Sequence, residues 1–118
     1  MDISLRNNMA LSADAKEMLE QLIEVEILSI PSQMHMVRRI KSELHLTTED
    51  DYVYGYICGH IEASIDLAFI SSYDRPMNED EEMDKIISIV HALPRIRAAI
   101  FNAAVIHRFI LVQFRRQV

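Results

Sequence analysis

The chain has 118 residues, of which half are hydrophobic and a quarter are charged, and its formal net charge is −6. This length and composition are typical of one globular domain, so we predict a single domain over residues 1–118. Two glycines and three prolines argue against a loop-rich β protein, and a single cysteine excludes an internal disulfide. The sparse cysteine and the mixed polarity after Met1 favour a cytoplasmic protein without a signal peptide.

The apolar periodicity predicts an all-α fold, a bundle of four to five helices, with residues 1–11 frayed. Ser12 is the expected N-cap of the first helix. Asn78, with Glu81 three residues later, forms a capping box at the start of the fourth. Because proline interrupts helices, Pro31 and Pro94 are expected to separate neighbouring ones. The predicted helices cover about residues 12–29, 31–44, 48–71, 78–93 and 94–116.

The two predicted helices closest to the C-terminus are strongly apolar. In the fourth, we expect the buried face to consist of Ile86, Ile87, Ile89, Val90 and Leu93. The fifth is apolar almost all round, which predicts either the central helix of the bundle or one half of a dimer interface. Polar residues interrupt its apolar run too often for a membrane span, so we expect no membrane contact.

Small residues form two stripes at helical spacing. Gly55, Gly59 and Ala63 are four residues apart in the third helix, and Ala99 and Ala103 repeat this spacing in the fifth. A glycine inside a helix costs about 1 kcal/mol relative to alanine, so a compensating close contact is expected. The stripes therefore predict a close helix–helix contact, within one chain or between two copies.

Charge is divided unevenly along the chain. Residues 85–118 carry six basic residues and no acidic one, while residues 1–84 have a net charge of −12. This asymmetry predicts that the basic segment docks on acidic parts of its own fold, of a sister subunit or of a partner. Alternatively, these basic side chains only keep an apolar helix soluble.

Three carboxylates stand out as candidate site residues. Glu26 lies on the apolar side of its helix, and Glu62 and Asp66 are four residues apart beside the glycines. Carboxylates at such positions need partners, which predicts ion pairs with Arg97 and Arg108 of the last helix. The alternative is a shared hard cation, which carboxylates four residues apart on a helix can chelate.

Arg38, Arg39 and Lys41 form a basic cluster on the second predicted helix, which follows the first through a short turn at Pro31. This arrangement suggests a helix-turn-helix, in which such side chains contact a DNA groove. The acidic balance of the whole chain argues against nucleic acid, because DNA-binding domains present a broad basic patch.

The sequence contains none of the catalytic motifs that we sought, such as a phosphate-binding glycine loop or a zinc-binding His-Glu-x-x-His. We therefore expect a non-enzymatic interaction protein without cofactor or metal: a regulator, adaptor, chaperone or immunity-type inhibitor. It would act as a homodimer and bind a protein with a basic surface. The alternatives are a metal-dependent all-α enzyme that uses the Glu/Asp cluster and a dimeric DNA-binding transcriptional regulator.

Overall fold

The structure is a computed structural model that describes the backbone of residues 10–45 and 48–117 and the side chains of residues 10–45 and 48–106. The described residues form three helices and no strand: α1 (Ala13–Ile40), α2 (Glu49–Tyr73) and α3 (Glu79–Gln117). Each helix contacts the other two, and the molecule measures 66 × 27 × 23 Å. The prediction of an all-helical fold is thus confirmed for the described part of the chain.

The predicted number of helices is wrong, because two helices continue through their prolines. α1 includes Pro31 and α3 includes Pro94. A proline in a helix interior costs about 3 kcal/mol. Both prolines lie on the exposed side, and the buried row continues past each, for example at Ile30 and Met34 around Pro31. Burying one large aliphatic side chain stabilises by roughly 1.5–3 kcal/mol, so packing on both sides of the proline offsets its cost.

Two of the helix starts follow the sequence prediction. The Ser12 hydroxyl accepts a hydrogen bond from the backbone N–H of Ala15 at 3.1 Å. Asn78 Oδ1 accepts from the N–H of Glu81 at 2.8 Å, and Glu81 Oε1 accepts from the N–H of Asn78 at 2.9 Å. The predicted N-cap and capping box are both confirmed. Leu11, expected to be frayed, is 3% exposed, and its N–H donates to Asp84.

The bundle core is a row of apolar side chains on the inward face of each helix. On α2 the row repeats every fourth residue, which places all its members toward the neighbouring helices. The polar residues Glu26, Glu81 and Lys85 are also buried. The buried apolar residues are Leu11, Ala15, Leu19, Ile23, Ile30, Met34 and Val37 from α1 and its start, Val53, Ile57, Ile61, Ile65 and Phe69 from α2, and Ala92, Ile96, Ile100 and Ala104 from α3.

The buried face of α3 differs from the expected one. Ile86, Ile87 and Val90 are 46%, 39% and 52% exposed, and the inward row starts instead with Glu81 and Lys85. Of the five expected residues, only Ile89 and Leu93 pack against the core. The expectation failed for the other three because it treated residues 78–93 as a separate helix. In the continuous helix, the direction of the inward row is set by Ala92, Ile96 and Ile100 as well.

α3 is much longer than its neighbours. Its 39 residues span about 58 Å at 1.5 Å per residue. By length and composition alone, the part from Glu79 to Ile106 could cross a membrane, a property shared by core helices of soluble proteins; only 22% of its most apolar window is buried. Most residues of that window are therefore not buried by the described chain.

Candidate functional site

Lys85 holds together the carboxylates that the sequence singled out on α2. Its ammonium lies 3.0 Å from Asp66 and 3.5 Å from Glu62, and it also contacts Glu82 one turn back on α3. The lysine is 1% exposed, so its stem packs in the core while its head reaches the carboxylates at the edge. Glu62 and Asp66 therefore pair with Lys85, and the predicted pairing with Arg97 is wrong.

The lysine in this cluster is held in its charged form. Burial by itself lowers the pKa of Lys85, but hydrogen bonds to Glu82 and Asp66 outweigh it and raise that pKa above its ordinary value. Three carboxylates surround one ammonium, so the cluster retains net negative charge at neutral pH. It joins α2 to α3 and leaves outward carboxylate oxygens in contact with water.

Glu26 has a different partner from the expected arginine. Its carboxylate is hydrogen-bonded to Nδ1 of His60 on α2, and the imidazole stacks on Tyr56 with the ring centroids 5.7 Å apart. The glutamate is only 7% exposed, whereas the histidine side chain is 48% exposed. The pair thus joins α1 to α2 at the border of the core and satisfies a carboxylate that would be costly to bury alone.

The structure does not bring the three candidate ligands together. Glu26 is bound to His60, while Glu62 and Asp66 are bound to Lys85 on another side of α2. Among the described residues no group of three His, Cys, Asp or Glu side chains is close enough to hold a metal ion. The convergence that the metal-enzyme alternative requires is absent from this part of the chain.

Two members of the basic cluster on α1 fix the α1–α2 connection. Arg38 Nε and Lys41 Nζ each lie 3.0 Å from a carboxylate oxygen of Glu49, the first residue of α2. Partial burial by itself raises the pKa of Glu49, but these bonds outweigh it and lower that pKa below its ordinary value. Arg39 stays exposed. The helix-turn-helix reading is wrong in its geometry, because α1 is continuous through Pro31 and contains no turn there.

Arg97 packs against an aromatic ring. Its guanidinium lies 3.9 Å from the centroid of Tyr54, in the geometry of a cation–π contact. Cys58 is half-buried close to this pair, and burial raises the pKa of its thiol. A thiol held protonated is a poor nucleophile. The side chain of Arg108, the other predicted partner of the carboxylates, lies outside the described residues.

The two small-residue stripes have different environments. Ala99 and Ala103 on α3 are partly buried and pack against the core, which makes them intramolecular packing residues. Gly55, Gly59 and Ala63 on α2 face outward. A Cβ built on either glycine meets no atom within 4 Å, so no part of the described chain makes the close contact expected there. A contact with a second chain stays a prediction for this stripe.

Arg95 accounts for part of the charge asymmetry. It bonds Glu24 and lies 3.3 Å from Glu20, both on the exposed acidic face of α1. Arg95 and Lys85 are thus two basic residues of α3 that pair with carboxylates of the same chain. Other carboxylates on this face of α1, Asp14 and Glu17, are exposed and make no ion pair within the described residues.

One cavity of about 640 Å³ lies against the second half of α1. Its described lining combines apolar stems with an imidazole and a guanidinium and contains no carboxylate. The residues are Pro31, Ser32, His35, Met36, Arg39 and Ile40. This lining offers the hydroxyl of Ser32, the imidazole of His35 and the guanidinium of Arg39 as hydrogen-bond donors. His35 is its one side chain that could act as a base, and these described residues contain no metal-binding set.

The described residues therefore define a small, acidic three-helix bundle whose polar side chains serve to join its helices. Comparisons with protein-family models, with curated protein sequences and with solved structures returned no match. What can be said of function must come from the surface and its chemistry.

Proposed function

We propose that this protein is a non-catalytic interaction protein that acts as a homodimer and binds a partner with a basic surface, as a regulator, adaptor, chaperone or immunity-type inhibitor does. The observation that carries this proposal is the exposure of large apolar side chains. Seventeen of them are exposed in the described part of the chain, against sixteen apolar residues of any size in the core. Soluble monomers rarely leave contiguous apolar surface uncovered, and such patches mark interaction sites.

The polar side chains support a binding role. Every buried side-chain nitrogen or oxygen in the described region has a hydrogen-bond partner. The carboxylates that could act as acids, bases or ligands are engaged with Lys85, His60 and Arg38, where they join one helix to another. Catalytic groups are typically held in a cleft, whereas these carboxylates lie in ion pairs between helices.

The acidic face of α1 supports the choice of a basic partner. Asp14, Glu17, Glu20 and Glu24 are all exposed on it. Arg95 neutralises only part of this charge. A row of carboxylates on a rigid helix attracts a basic surface and accelerates its association through electrostatic complementarity.

Native mass spectrometry of protein purified without added metal tests the proposal. We expect a metal-free dimer, with a dimer fraction that falls on dilution according to a single dissociation constant. A monomer carrying a stoichiometric divalent cation would contradict both parts of the proposal. Glu26→Gln and Glu62→Gln are then the matched variants that show which carboxylate binds the ion.

A further inference from the structure

The outward side of α3 carries a continuous row of apolar residues. Met83, Val90 and Phe101 are 57%, 52% and 65% exposed, and nothing in the described chain covers them. The row extends over 23 residues, about 33 Å of helix. Its members are Met83, Ile87, Val90, Pro94, Ala98, Phe101 and Val105, all exposed. We call it the outward row.

The spacing of the outward row is the same in both directions from Pro94. Its members lie 4, 7 and 11 residues before the proline and 4, 7 and 11 residues after it. If two copies of α3 cross antiparallel at Pro94, every member therefore meets another member. Met83 lies opposite Val105 of the second copy, Ile87 opposite Phe101, and Val90 opposite Ala98. Steps of three and four residues are those that form an apolar seam between two helices.

Charge along α3 favours the antiparallel direction. The helix begins with the exposed acids Glu79 and Asp80, and its last part carries Arg108, Arg115 and Arg116. In the antiparallel register, position 80 of one copy lies opposite position 108 of the other. A parallel pair would instead place acid beside acid and base beside base, which is repulsive.

We infer that a second copy of this chain docks antiparallel on the outward row of α3, with the two-fold axis at Pro94. This inference rests on the proposed function and specifies the contact of the homodimer. A lipid surface fits the same row less well. The basic residues of α3 would attract an anionic bilayer, but Glu79 and Asp80 at its start would be repelled by it, whereas an antiparallel second copy places acid opposite base.

Disulfide cross-linking tests the register in the full chain. The native thiol is removed by Cys58→Ala, and Ile87→Cys and Phe101→Cys are introduced separately, one protein carrying a mass tag. In the antiparallel register, residues 87 and 101 of different copies share a layer, within the 4.4–6.8 Å Cα separation that a disulfide needs. Two copies of Ile87→Cys would hold their thiols about 21 Å apart, 14 residues along the helix. Leu67→Cys on α2 is the control, because Leu67 is 70% exposed, at least as much as Ile87 and Phe101.

In an equimolar mixture of Ile87→Cys and Phe101→Cys we expect about half of the protein to cross-link after mild oxidation, which is the statistical share of mixed dimers, and little in either variant alone. Cross-linking of Ile87→Cys with itself would overturn the antiparallel register. Cross-linking of Leu67→Cys with itself, or a dimer by light scattering that cross-links in no mixture, would overturn the α3 contact and leave the homodimer intact. A monomer by light scattering, with or without binding to anionic phospholipid vesicles, would overturn the homodimer as well.

Discussion

The two faces of α3 are both apolar, but only one is covered. The inward face places Ala92, Ile96 and Ile100 against α1 and α2, each at most 4% exposed. The outward face places Val90 and Phe101 in water at more than half exposure. A helix that is apolar all round needs neighbours on all sides, and the described chain supplies them on one side only. Within the described residues, the chain therefore builds a core on the inward face of α3 and leaves the outward face uncovered.

Removing an inward side chain of α3 should give the largest effect. Ile96→Ala is expected to lower the free energy of unfolding by about 2–5 kcal/mol, because the site is fully buried and a cavity remains. Urea unfolding monitored by circular dichroism measures the change. Ile87→Ala is the outward control, and its effect should grow with protein concentration, since it acts through the dimer. A concentration-dependent loss for Ile96→Ala would contradict the assignment of the two faces.

Breaking the Glu26–His60 pair at the edge of the core should give the second largest loss of stability. His60→Ala leaves the Glu26 carboxylate buried without its partner, which is expected to cost roughly 1–3 kcal/mol. The double variant Glu26→Leu with His60→Ala should recover most of that loss, because it removes the buried charge as well. Chemical unfolding of the two variants checks this. Equal stability of the single and double variants would contradict the attribution of the loss to an unpaired buried carboxylate.

The small residues Gly55, Gly59 and Ala63 form an outward-facing stripe on α2. Gly59→Ala is expected to raise the free energy of unfolding by about 0.5–1 kcal/mol, since alanine favours the helix and a Cβ has open space there. Ala63→Gly, on the same face, should lower it by a similar amount. Thermal unfolding measures both. If Gly59→Leu dissociates the dimer while the chain stays folded, the contact lies on α2 and the assignment to α3 is wrong.

Substitution of Glu81, at the start of the inward row of α3, should have the smallest effect on stability, and this effect should depend on pH. Hydrogen bonds from Arg75 at 2.7 and 3.0 Å lower the pKa of Glu81 below its ordinary 4.5. Since the folded pKa is the lower one, this stability is present above pH 4.5 and is lost as pH falls through the folded value. Glu81→Gln should therefore lower the thermal midpoint near pH 7 by more than it does at a pH well below 4.5. An equal deficit at both pH values would contradict an ionic origin.

Local signals in the sequence predicted local structure well. The helical periodicity, the Ser12 cap and the Asn78–Glu81 capping box need only neighbouring residues, and all are found. The helix ends predicted at Pro31 and Pro94 were wrong. The cost of a proline inside a helix is local, and it was outweighed by burial on either side, which depends on the tertiary fold. The change merged four predicted helices into two.

The partners of the candidate residues could not be predicted, because they depend on how each helix is rotated. Glu62 and Asp66 were expected to face Arg97, yet Lys85 reaches them from the inward side of α3. A lysine that is almost fully buried has no signature in sequence apart from its position in an apolar periodic row. The pairing of His60 with Glu26 likewise depends on how α1 packs against α2.

The most direct test of the account is multi-angle light scattering of the wild-type protein, Phe101→Glu and Leu67→Glu at matched concentrations. Both side chains are outward and at least 65% exposed, Phe101 on α3 and Leu67 on α2. The account predicts a dimer for the wild type and for Leu67→Glu, and a folded monomer for Phe101→Glu with an unchanged circular dichroism spectrum. A monomeric wild type, or a Phe101→Glu protein that stays dimeric, would contradict the claim that the outward face of α3 is covered by a second copy.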